Sequence, residues 1–230
     1  METSNPLLTR DIEYSSIGAA GRMELQGVIN KTGLLLLFCM ASAFFSWTHP
    51  QLAGPLMILG LLGGLVACLV GTFVPTTAPI SAPAYALLEG LALGALSRLF
   101  DLRFPGIVAN AMLLTFCVLG LMLFLYSTRI IRVTQRFMVG VMMATGAVAL
   151  VYLIDWVLSM FHTGVPFIND SGTVGIAAAN LLVDFAVIES NVQQGAPKYM
   201  EWYCGMALLV TLVWLYLELL RLLSKFQQKR

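Results

Sequence analysis

Seven apolar runs set the limits on how this chain can fold: Val28–Trp47, Leu52–Phe73, Ala82–Phe100, Pro105–Tyr126, Phe137–Phe161, Gly172–Glu189 and Met200–Leu223. A hydrocarbon core of about 30 Å requires roughly 20 mostly apolar residues per crossing helix, and every run meets that length. The runs are continuous, which excludes the short alternating strands of a membrane barrel. With 59% hydrophobic and 11% charged residues, the chain has too little polar surface to cover a water-soluble globule. The sequence therefore predicts an all-α polytopic membrane protein with seven transmembrane helices and short connections. Residues 1–27 read as a cytoplasmic amino-terminal segment, 28–224 as the transmembrane domain, and 225–230 as a basic carboxyl tail.

The positive charges give an orientation. Arg10, Arg22 and Lys31 precede or open the first run, and Arg129, Arg132, Arg136 and Lys198 lie in connections on the same side. The internal connections of the other side hold Arg103 and little else. The positive-inside rule then places the amino terminus in the cytoplasm, against the pull of Arg221, Lys225, Lys229 and Arg230 at the far end. The basic residues do not cluster on one face, so no nucleic-acid partner is expected. Cys39, Cys68, Cys117 and Cys204 stand singly on separate runs and read as small apolar residues.

Acids inside the runs are the informative departures. An ionised acid at a helix centre costs about 2.5–3.5 kcal/mol on insertion scales, so it needs a partner, a proton or water. At a rise of about 1.5 Å per residue, Glu89 and Asp184 both lie roughly 10 Å from the cytoplasmic end. Asp155 and Glu218 lie at about 27 Å, with Arg98 at about 24 Å. The first pair, brought together in a dry site, would share a proton and titrate as a unit. Deprotonated, and joined by Asn180 one turn from Asp184, it would offer oxygens suited to a hard cation such as calcium. Asp155, Glu218 and Arg98 form a second acidic layer, read as ion pairing or snorkelling near the opposite interface. No HExxH, GxSxG or GxGD motif is present, and His49 and His162 fall in connections, so no enzyme and no bound cofactor are expected.

Several stretches together carry a resemblance: "SNPLLTR", "MELQGVINKTG", "PAYALLEGLALGALS", "STRIIRVTQRF", "NLLVDFAVIE" and "GAPKYMEWYCGMALLVTLVWLYLELLRLL". In their order and spacing they resemble a bacterial member of the Bax inhibitor-1 (transmembrane Bax inhibitor motif) family. The resemblance implies a last helix at the centre with six wrapped around it, in a bacterial cytoplasmic membrane. It also implies a pH-sensitive calcium leak gated by an acidic pair between helices six and seven, with calcium and protons as the species handled. Other members act in cytoprotection or regulate a membrane protease, so a regulatory protein that binds such a protease and transports nothing is the competing expectation. Asp184 matches the helix-six acid, and Glu89 the acid of an "EG" pair on helix three. For the helix-seven acid, "LYLE" offers Glu218, whereas alignment on the following "LLR" offers Thr211. Depth favours Thr211, at about 16 Å, which would supply a neutral oxygen beside Asp184 as Asn180 does.

Overall fold

The computed structural model describes residues 21–131, 133–160 and 170–228, with side chains placed outside 155–160 and 170–171. Its helices are α1 (Leu25–Thr48), α2 (Ala53–Phe73), α3 (Ala78–Arg103), α4 (Ile107–Ser127), α5 (Gln135–Met160), α6 (Asp170–Gln193) and α7 (Met200–Gln228). All seven contain a stretch long and apolar enough to cross a bilayer, and no strand occurs among the described residues. The protein is an all-helical integral membrane protein. Short 3₁₀ turns at Pro50–Leu52 and Pro75–Thr77 join α1 to α2 and α2 to α3. Proline opens each turn, where the missing amide hydrogen is not needed.

Helix α3 begins four residues earlier than the apolar run predicts. It contains both Pro79 and Pro83, of which Pro79 lies between the second and third apolar runs. Pro79 sits in the first turn, where no intrahelical donor is required. The missing amide of Pro83 deprives only the carbonyl of Pro79 of its helical partner, so the helix continues. Helix α7 likewise extends to Gln228, which makes 225–228 of the basic tail helical. The connection after α6 turns at Gly195 (φ +68°), and the connection after α3 turns at Gly106 (φ +82°), whose amide donates to Asp101 Oδ1 at 2.9 Å. Both are left-handed conformations that glycine adopts without a side-chain penalty.

The chain divides into two compact units, 1–99 with 187–209 and 100–186 with 210–230. In the first, α3 packs closely on α1 and α2 through small residues. A methyl group at Gly60 would lie 2.7 Å from the Ala92 amide nitrogen, and one at Gly94 would overlap the Ala43 carbonyl. Such bare contacts let helix backbones approach in lipid, where dispersion and polar contacts replace the hydrophobic drive. Arg98 closes the end of α1 by donating from its guanidinium to the Trp47 carbonyl at 2.6 Å, one of the acceptors left without an intrahelical donor in a last turn. In the second unit, α5 to α7 are tied by side-chain hydrogen bonds described below. Over the most apolar 18 residues, α3 and α7 are each 56% buried and α5 only 6%.

Candidate functional site

The second unit brings α6 and α7 together at an acid. Thr211, on the buried face of α7, donates its hydroxyl hydrogen to Asp184 Oδ2 at 2.7 Å. Asp184 is half-buried midway along α6, and Thr211 is the one described donor that reaches it. One turn earlier, Asn180 turns to α5: its Nδ2 donates to Thr145 Oγ1 at 2.7 Å and to the Ile176 carbonyl at 2.9 Å. The Asn180 amide nitrogen is therefore committed, and its carbonyl oxygen has no described donor. A carboxylate can accept about four hydrogen bonds, so Asp184 keeps most of its accepting capacity for a proton, a water or a cation.

Seven residues further along α7, Glu218 presents the opposite situation. It is 2% exposed, and both its oxygens are occupied. Oε1 accepts from the Tyr152 hydroxyl at 2.6 Å, the Trp214 indole at 3.1 Å and the Arg221 guanidinium at 3.5 Å, while Oε2 accepts from the Thr173 hydroxyl at 2.6 Å. Arg221 also donates to the Tyr152 oxygen at 2.6 Å and lies over its ring, 5.0 Å from the centroid. In the second acidic layer, Glu218 is thus a buried carboxylate with four donors, among them Arg221, with which it forms an ion pair. Burial of a charge is tolerated when its lone pairs are satisfied in this way. The Asp155 side chain lies outside the described residues, as does His162. Arg98 belongs to the first unit, with Trp47 as described above.

Within the first unit, Glu89 occupies the half-buried face of α3 that α2 covers. Its Oε2 would sit 2.9 Å from a methyl group placed on Gly64, so the bare glycine leaves the room the carboxyl uses. No described side chain of this unit donates to it. Glu89 and Asp184 thus share one property, spare accepting capacity inside an apolar helix, each in its own unit.

A second fully buried acid, besides Glu218, was not among the sequence candidates. Glu201, 1% exposed in the first turn of α7, forms an ion pair with Lys31 and accepts the Glu24 backbone amide at 3.0 Å. The aromatic flank "EWY" marks a membrane interface, so the acid reads as a water-facing residue. The missed signal was that Lys31 lies at the same end of its own helix. Tyr152 and Thr173 were missed for a different reason: polar side chains of that size are common in membrane helices, and only the fold aims them at Glu218.

No cluster of three or more His, Cys, Asp or Glu side chains occurs among the described residues. Comparison with curated proteins and with solved structures returned no match. A protein-family model described as "Bax inhibitor 1 like" matches residues 5–228, nearly the whole chain, and the chain belongs to that family.

Proposed function

We propose that the protein is a pH-sensitive cation leak of the cytoplasmic membrane, with calcium as the permeating ion and its amino terminus in the cytoplasm. The observation that carries this reading is the contrast between two acids on adjoining stretches of the same helix pair. Glu218 is held by four donors, whereas Asp184, on the same unit's α6, accepts only from Thr211 among the described residues. A filled carboxylate has nothing left to exchange. An acid with one donor in an apolar bundle changes its hydration and packing whenever it changes its charge.

The proposed cycle follows from that difference. Protonated Asp184 is neutral and compatible with a closed, dry packing of α6 against α7. Loss of the proton leaves a charge that draws in water or a cation, for which Thr211 and the Asn180 carbonyl supply neutral oxygens of the kind a hard cation accepts. Glu89 supplies a second acid of the same kind. Each acts as a local charge biasing a bistable packing, and proton and calcium compete for the same oxygens.

The test is calcium entry into liposomes carrying the purified protein, read with an enclosed indicator from pH 5 to 8 against protein-free liposomes. Flux that rises with pH supports the reading. Flux equal to that of empty liposomes at every pH removes it, and directs the search to a protein partner such as a membrane protease.

A further inference from the structure

The last buried acid, Glu201, is far from idle, and what it holds is the stretch of chain leading into α1. Residues 21–24 run antiparallel to the connection between α6 and α7. Arg22 pairs with Pro197 as an isolated bridge, the Met23 amide donates to the Ala196 carbonyl at 2.7 Å, and the Lys198 amide donates to the Gly21 carbonyl at 2.8 Å. The next amide, that of Glu24, leaves this ladder and donates to Glu201 Oε1 at 3.0 Å. Lys31, two turns into α1, closes the other oxygen as an ion pair and lies over the Trp202 ring, 5.3 Å from its centroid. Met23 is buried at 3% exposure under this arrangement.

Three features make the carboxylate the keystone of this contact. It sits in the first turn of α7, where the helix dipole favours negative charge. It is fully buried, so any motion that pulls the strap away takes the Glu24 amide from a carboxylate that water cannot reach and leaves it with Lys31 alone. And it occupies the space that a side chain at position 27 would need: a methyl group on Gly27 would overlap all three terminal atoms of Glu201. Gly27 is therefore required for close approach, since Glu201 could yield to a methyl group there only by leaving Glu24 and Lys31.

We propose that residues 21–24 are a strap, latched onto the α6–α7 connection by the Glu201 carboxylate and opening as one unit. The strap joins the amino-terminal segment to the link between the helices that carry Asp184 and Thr211. Lys31, 19% exposed at its side chain, is the part of the latch that water reaches. The inference rests on contacts within the first unit and does not depend on the leak reading.

The test is amide hydrogen exchange of the full-length protein in lipid nanodiscs, for wild type, Glu201→Gln and Gly27→Ala. Glutamine can still accept from Glu24 but cannot pair with the Lys31 charge; alanine keeps both charges and displaces the carboxylate. A latch predicts that the amides of Met23, Glu24 and Lys198 all exchange at least tenfold faster in both variants, while amides in the middle of α3 keep their wild-type rates. Acceleration of Glu24 alone would overturn the proposal, because the ladder would then be independent of the carboxylate. Unchanged exchange at all three amides would overturn it too. Should Glu201→Gln fail to fold, Gly27→Ala and Lys31→Met provide the same comparison.

Discussion

Replacing Tyr152 by Phe, or Thr173 by Val, removes one hydroxyl from the Glu218 cluster while keeping side-chain shape. Both hydroxyls donate to a buried carboxylate at 2.6 Å, and hydrogen bonds to charged groups contribute about 1.5–3 kcal/mol. The two losses differ in how well the remainder compensates. Oε1 keeps Trp214 at 3.1 Å and Arg221 at 3.5 Å after Tyr152→Phe, and Arg221 can close in on it, so about 1–2 kcal/mol is expected. Oε2 has no second described donor, so Thr173→Val should cost about 2–3 kcal/mol. The double variant should depart from additivity, since both hydroxyls serve one carboxylate. The assay is reversible unfolding in mixed micelles, comparing midpoints of the four proteins. Losses below about 0.5 kcal/mol for both single variants would refute the claim that Glu218 ties α5, α6 and α7 together, because changes of that size are typical of sites with no specific role.

Other perturbations follow from the same contacts. Thr211→Val removes the hydrogen bond that favours the charged form of Asp184, so the pH-dependent rise in calcium flux should move to higher pH; liposome flux profiles check this. Gly94→Val places a branched side chain against the Ala43 carbonyl and should destabilise the α1–α3 contact by about 1–3 kcal/mol, read as a lower thermal midpoint. Arg98→Met uncovers the Trp47 carbonyl at the end of α1 and should cost about 1–2 kcal/mol, since the lost bond is charge-assisted. Faster exchange of amides near Trp47 would accompany it.

Seven membrane-crossing helices were legible in the sequence because length and hydropathy alone decide whether a segment can span. Their ends were less so. The third helix starts at Ala78, ahead of the apolar run, and takes in Pro79 and Pro83, since proline near an amino-terminal turn deprives the helix of little. The acids were legible as expensive residues in apolar runs, and counting residues placed Thr211 close to the level of Asp184. What counting could not supply was azimuth. Thr173 and Glu218 are 45 positions apart, and Lys31 and Glu201 are 170 apart, so only the packed bundle shows which acids are fully engaged and which keep spare capacity. Glu218 and Glu89 look alike as single acids in apolar helices. Their surroundings separate them: four donors for one, and a bare glycine surface for the other.

The central claim is that Asp184 couples charge to the opening of a cation path. The most direct measurement compares calcium flux against pH for wild type and Asp184→Asn in liposomes of identical protein content. Asparagine keeps the size of the side chain and an oxygen for Thr211, but it cannot gain or lose a proton. The account predicts flux that rises with pH in the wild type and a markedly flattened response in Asp184→Asn, with any residual slope removed by adding Glu89→Gln. A variant that retains the full wild-type pH profile would contradict it.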